Sequence, residues 1–116
     1  MPTQLQRRES TTRALISAAR AAFTENGFDD TSIDEIAARA GATKGAVYHY
    51  FSTKEDLFRG ALESVEGEIL DRVIHKAVES SDPAVRLILG NDAFLESALD
   101  PELSRIALIE GPAVLG

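Results

Sequence analysis

The sequence predicts an all-α protein, and three observations lead to that prediction. No segment alternates apolar and polar residues over the length of a strand. Glycine and proline stand at the ends of apolar segments, where they punctuate helices. Serine, threonine or aspartate precedes these segments, and these are the residues that cap helix N-termini. A chain of 116 residues is long enough for one helical core.

The first helix is predicted from about Thr11 to Glu25, after Ser10. Asn26-Gly27 ends it, since glycine adopts the left-handed conformation beyond a helix at little cost. One apolar stripe follows the helical period. It contains Leu15, Ile16, Ala19, Ala22 and Phe23.

A helix-turn-helix arrangement is predicted next. Ser32 and Glu35 can form a reciprocal capping box at the start of a second helix. Gly41 ends that helix, and Thr43 can cap a third, short helix that reaches about Tyr50. Two short helices joined by a tight turn with glycine are typical of this motif.

Three more helices are predicted in the rest of the chain. Ser52–Glu55 resembles a second capping box and begins a long fourth helix that extends to about Val78. Asp82-Pro83 and Asp100-Pro101 each place a capping aspartate before a proline, which is favourable at the first helical position. These two pairs predict the starts of the fifth and sixth helices.

The formal net charge of −7 is unevenly distributed. Residues 1–59 contain eight basic and eight acidic residues, whereas residues 60–116 contain four basic and eleven acidic ones. Between Glu35 and Glu55 there is no acidic residue at all, although Arg39, Lys44 and Lys54 fall there. A basic surface is therefore predicted around the third helix.

Composition limits the other classes of function. The chain has no cysteine, which excludes disulfides and thiolate metal sites. No apolar run approaches the roughly 18 residues of a membrane span, and the polar N-terminus is no signal peptide. We therefore expect a soluble, cytoplasmic protein without a membrane partner.

The third helix has one face for the core and one for a partner. At about 100° per residue, Val47 and Phe51 point inward. The opposite face contains Gly45, Ala46 and His49. Such a small, flat face allows the helix backbone to approach a DNA major groove, where His reads base edges and Ala contacts a thymine methyl group. We expect Tyr50, near the inner face, to pack in the core or against the fourth helix.

The positions of two lysines near helix starts indicate anion-binding sites. Lys44 and Lys54 stand in first turns, where a cation opposes the helix dipole. A phosphate at each position would be attracted by the free amides, the dipole and the ammonium group together. Ser32 marks a third such helix start, and Tyr48, on the flank of the third helix, has a hydroxyl that can donate to a phosphate.

The stretch TSIDEIAARAGATKGAVYHYFSTKEDLF and the preceding AARAAFTENGFDDTS resemble the DNA-binding domain of the TetR family of bacterial transcriptional repressors. The resemblance implies a helix-turn-helix DNA-binding domain over residues 9–69, with the motif at 31–50. It also implies that a long fourth helix joins this domain to residues 70–116, which would be the incomplete start of a helical ligand-binding and dimerisation domain.

The resemblance also implies roles for individual residues. Gly45, Ala46 and His49 would face bases. The phosphate contacts would be Ser32, Thr43, Lys44, Tyr48 and Lys54. The partner would be a palindromic double-stranded operator bound by a homodimer, if the C-terminal helices are present. No cofactor is implied, although a small-molecule effector would regulate a repressor of this kind.

Two other classes of function stay open on the residues alone. The aromatic segment and the acidic helices could form a protein-interaction module that does not bind DNA. His75 and Glu79, four residues apart on the predicted fourth helix, could share a metal ligand, although a solvated pair is the more common outcome. No nucleophile and base are paired in the sequence, and we expect no enzymatic activity.

Overall fold

A computed structural model describes residues 1–116 and confirms the all-α prediction. The helices are α1 (Gln4–Asn26), α2 (Ile33–Ala40), α3 (Lys44–Tyr50), α4 (Lys54–Ala77), α5 (Pro83–Ala98), α6 (Pro101–Ser104), a π-helical segment (Arg105–Glu110) and α7 (Gly111–Leu115). We call residues 4–69 the head and residues 70–116 the tail. None of the helices combines the length and apolar character needed to cross a bilayer.

The predicted start of α1 is wrong by seven residues. Thr3 caps the helix: its hydroxyl accepts from the Gln6 amide at 3.1 Å, and the Gln6 side chain accepts from the Thr3 amide at 2.7 Å. This capping box stands before two turns of polar residues with no apolar period. The helix therefore begins at Gln4 rather than at Thr11.

Of two predicted capping boxes, the first has the right capping residue and the second is displaced by one residue, and neither forms the predicted reciprocal box. Ser32 caps α2 by accepting from the Glu35 amide, but the Glu35 carboxylate accepts from the Asn26 side chain at 2.9 and 3.2 Å instead of returning to Ser32. At α4 the cap is Thr53 rather than Ser52, and its hydroxyl accepts from the Asp56 amide at 3.0 Å. Each helix still starts within two residues of the predicted position.

The main core lies in the head. Phe23, Phe28 and Phe58 form a three-ring cluster with centroids 5.2 to 5.8 Å apart, two of the pairs meeting edge to face. Side chains of α1, α2, α3 and the first half of α4 surround it. Leu103 and Ile106, which come from the tail, are fully buried in the same cluster.

The tail packs through small residues. Gly90 lies where a Cβ atom would be 3.3 Å from Val73 Cγ1, and Ala93 and Ser97 are the other buried residues of α5. Large apolar side chains of the tail point outward instead. The exposed ones are Leu70, Ile74, Val78, Val85, Leu87, Ile88, Phe94, Leu95, Leu99, Leu108 and Ile109.

The sixth predicted helix is a π-helical segment between two short α-helical ends. Its N-terminus is confirmed, because Asp100 caps α6 and Pro101 follows. Beyond Ser104 the turns widen, and the Gly111 amide donates to Ile106 O, five residues earlier. Pro112 provides a physical reason: it has no amide hydrogen, and its ring would collide with the Leu108 carbonyl in a regular α-helix.

Candidate nucleic-acid interface

A tight turn sets α3 against α2. Gly41 ends α2 in the left-handed conformation, with φ 68° and ψ 30°. The Ala42 amide donates to Ala37 O at 2.9 Å and the Gly41 amide donates to Ala38 O at 3.2 Å, which is the paired bonding of a glycine C-cap. The two helices are therefore joined by a rigid turn rather than a flexible loop.

The inner and outer faces predicted for α3 from the helical period agree with the burial of its side chains. Val47 is fully buried, and Phe51 is half-buried against the head core. Gly45 and His49 are exposed, whereas Ala46 is half-buried at the edge of the outer face. The outer face of α3 is therefore accessible. Its large side chains are His49 and, on the flanks, Lys44 and Tyr48, which is 45% exposed.

Gly45 is a glycine that the fold itself does not require. A Cβ atom added there would meet nothing closer than the Thr43 hydroxyl at 3.9 Å, and its backbone is ordinary helix. Glycine inside a helix costs about 0.5–1 kcal/mol relative to alanine. The open space around Gly45 leaves the backbone of α3 accessible from outside at this position.

The two capping hydroxyls remain able to donate. Ser32 and Thr43 each use an oxygen lone pair to accept from a backbone amide at 3.1 Å. A hydroxyl has one donor besides its two acceptor sites. Both groups lie exposed at helix starts and keep an O–H for an anion.

The basic charges predicted around α3 are largely engaged by the protein itself. Arg39 Nη2 lies 2.5 Å from Glu25 Oε2, and this hydrogen bond, with the charge attraction, holds the pKa of Glu25 below its ordinary value and raises the pKa of Arg39. Lys44 Nζ is more loosely placed, 3.7 Å from Asp34 Oδ2, with both side chains exposed. Of these two cations, Lys44 is the one that is free to turn toward a phosphate.

Lys54 has a role that its sequence position did not reveal. Its ammonium group donates to Phe28 O at 2.8 Å and to Thr31 O at 3.1 Å, and it lies 4.2 Å from the centre of the Phe28 ring. Two of its three hydrogens therefore hold the loop before α2. Only the third is left for a phosphate.

Tyr50 is partly buried against the head core, as expected, but its ring faces α1 and His49. The His49 and Tyr50 rings are 4.8 Å apart in an edge-on arrangement, and Arg8 Cζ lies 5.6 Å from the Tyr50 ring centre. The sequence prediction missed Arg8 because α1 was expected to begin after it. The available signal was the capping box of Thr3 and Gln6.

His75 and Glu79 do not form the pair that their spacing allows on a helix. The helix α4 ends at Ala77, so Glu79 lies beyond its last turn. The Glu79 carboxylate is instead 3.7 Å from Lys76 Nζ.

Two short helices, a rigid glycine turn and an exposed small-residue face on the second helix define a helix-turn-helix protein. The family model for "Bacterial regulatory proteins, tetR family" matches residues 15–61. The chain belongs to the TetR family.

Curated relatives and solved structures agree with this assignment. The HTH-type transcriptional regulators SrpR of Pseudomonas putida and AcrR of Shigella flexneri are each 33% identical over 89% of this chain. The chain spans 48% of the length of each. A crystal structure of a TetR-family transcriptional regulator from Pectobacterium atrosepticum is 36% identical, with a TM-score of 0.84, over 99% of this chain and 59% of that one.

Proposed function

We propose that this protein is a sequence-specific DNA-binding transcriptional regulator that reads double-stranded DNA with α3. The observation that carries the proposal is the exposed outer face of α3, which follows the rigid Gly41 turn and on which Gly45 leaves the helix backbone open to a partner. The names of the curated relatives, HTH-type transcriptional regulators, support DNA binding over the alternative of a protein-interaction module. No catalytic step forms part of the proposal.

The proposed contacts divide between bases and phosphates. Gly45, Ala46 and His49 face the major groove, where His49 supplies hydrogen bonds and the two small residues let the backbone come close. The proposed phosphate contacts are Ser32, Thr43, Lys44, Tyr48 and Lys54. Lys54 contributes mainly by holding the Phe28–Thr31 loop, and through it the start of α2, with one hydrogen left for the DNA.

Gly45→Ala tests the proposal because it moves stability and binding in opposite directions. Because Gly45 is the second residue of α3 and has open space around it, the substitution should raise the free energy of unfolding by at most about 0.5–1 kcal/mol, the value for the middle of a helix. Affinity for a duplex enriched from random DNA by the wild-type chain should fall roughly tenfold, since the added methyl group would hold α3 away from the groove and weaken neighbouring base contacts, each worth about 1–3 kcal/mol. Urea unfolding and fluorescence anisotropy measure the two quantities.

Gly67→Ala is the matched control. It too is a helical glycine with nothing within 4 Å of an added Cβ atom, but it lies in α4, outside the proposed interface. It should stabilise the protein and leave affinity unchanged. Wild-type affinity in Gly45→Ala would refute the proposal that α3 approaches DNA through its backbone.

We extend the proposal to a ligand-responsive repressor that binds a palindromic operator as a homodimer and works in the bacterial cytoplasm. The outward-facing apolar side chains of the tail, such as Leu95 and Leu99, support the homodimer because a second chain could cover them. Two-fold symmetric binding predicts half-sites whose centres are about 34–36 Å apart, or a multiple of that. Sedimentation of the protein with an enriched duplex measures whether one chain or two bind.

A further inference from the structure

The first turns of α1 lie beside the reading helix. Arg8 Cζ lies 5.6 Å from the centre of the Tyr50 ring, and the Tyr50 ring meets the His49 ring edge-on. Three side chains thus connect the start of α1 with a residue of the outer face of α3. Any molecule that contacts His49 from outside also comes close to these turns.

A shallow cavity of about 290 Å³ separates the two elements. No carboxylate lines it. The lining residues are Gln4, Leu5, Arg7, Arg8, His49 and Tyr50. The cavity is therefore polar and basic, and it opens beside the α3 surface.

Arg7 and Arg8 carry positive charge that no carboxylate of the protein neutralises in an ion pair. Both are exposed and neither takes part in any of the ion pairs of the chain. No acidic residue stands in the first turn of α1. Arg39 and Lys54, by contrast, are held by Glu25 and by two loop carbonyls. Arg7 and Arg8 are thus the cations next to His49 that no carboxylate or backbone carbonyl holds.

We propose that Arg7 and Arg8 bind backbone phosphates that flank the bases read by α3. This inference rests on the proposed function and extends its contact surface beyond the helix-turn-helix motif. A guanidinium group presents a planar fork that matches two phosphate oxygens. The Tyr50 ring lies 5.6 Å from Arg8 Cζ and restricts the space in which this side chain can move, so that less side-chain freedom is lost when the phosphate binds.

The salt dependence of binding tests this role. The probe is a duplex enriched from random DNA by the wild-type chain, with flanks that extend past the read bases. Each phosphate contact contributes about 0.9 to the slope of log affinity against log salt concentration. Arg7→Gln and Arg8→Gln should each reduce the slope by about 0.9, and the double variant by about 1.8. Arg8→Lys should keep the wild-type slope because it keeps the charge.

Arg13→Gln is the charge-matched control: Arg13 lies on α1, exposed and outside any ion pair, but it does not line this cavity. Its slope should equal that of the wild type. On a duplex trimmed to the read bases, the wild type and the double variant should bind equally well. Thermal melting verifies that every variant is folded.

Three results would overturn the inference. An equal change of slope in Arg13→Gln would mean a general charge effect. A wild-type slope in the double variant, beside a reduced slope in Lys44→Ala, would refute this inference and leave the proposed function intact. Absence of any DNA binding by the wild type would refute both.

Discussion

The head buries its large apolar side chains, whereas the tail turns most of its own outward. Eleven of the fourteen exposed large hydrophobic residues belong to the tail. The buried residues of α5 are Gly90, Ala93 and Ser97, while those of α1 include Leu15 and Phe23. The interior of the head is thus filled by interlocking side chains, and α5 is held by close backbone contact.

The comparison shows that a helix can form from local capping signals even where its apolar side chains are not buried in a core. The helix α5 begins where Asp82 caps it and Pro83 fits its first position, although most of its apolar side chains are exposed. Local signals therefore define the tail helices without a full burial of their apolar faces. In the head, the same kinds of caps are combined with dense packing, so stability should be concentrated there.

The largest expected effect compares two phenylalanines. Phe58→Ala removes a fully buried ring of the head and should reduce the free energy of unfolding by about 3–5 kcal/mol. Phe94→Ala removes a ring of α5 that is 47% exposed, and should cost about 1 kcal/mol or less. Urea unfolding of both variants measures the contrast. Equal reductions in the free energy of unfolding would show that the packing of Phe94 in the tail is as important to stability as that of Phe58 in the head.

A second comparison uses two lysines. Lys54→Met leaves the carbonyls of Phe28 and Thr31 without their charged donor, and should cost about 2 kcal/mol. Lys76→Met in the tail removes only an exposed ion pair with Glu79, and should change stability by less than about 0.5 kcal/mol. The urea midpoints of the two variants measure this difference. If Lys54→Met were no less stable than Lys76→Met, the loop would not depend on the lysine.

The smallest effect concerns pH and the ion pair of the head. Arg39 holds the pKa of Glu25 below its ordinary value of 4.5, chiefly by a hydrogen bond. Because the pKa is lower in the folded protein, the contribution to stability is present above pH 4.5 and is lost as the pH falls through the folded value. The free energy of unfolding of the wild type should therefore be slightly higher than that of Glu25→Gln at neutral pH.

The same measurement has a salt control. The pair is exposed, so added salt should weaken the difference at neutral pH. Urea midpoints between neutral pH and pH 3 measure it, and the two proteins should converge at the acid end. A difference that grew toward low pH would contradict the assigned direction.

Much of the fold follows from local signals in the sequence. Ser32, Thr43, Asp82 and Asp100 cap their helices as predicted, because a cap involves only residues two or three positions apart. The predicted start of α1 is wrong because the prediction used the apolar stripe, which begins several residues later. The capping box of Thr3 and Gln6, which is also a local signal, stands before turns that lack this stripe.

The candidate site was less predictable from the sequence where contacts between distant residues determine the partner of a side chain. The faces of α3 follow from periodicity, and Val47 and His49 lie on the expected sides. The partners of Lys54 are 23 and 26 residues away, and no local rule connects them. The Glu35 carboxylate likewise accepts hydrogen bonds from Asn26 on α1 rather than from the backbone amide at its own helix start.

Leu103 and Ile106 have a consequence for how such proteins can be recombined. Both side chains come from the C-terminal helical segments and are fully buried among residues of the head. An exchange of residues 1–69 between two relatives would set a new core against two side chains fitted to the old one. The smallest unit that can be exchanged intact therefore includes residues 101–115, so swapping whole heads to change the proposed DNA preference requires a matching change in the tail.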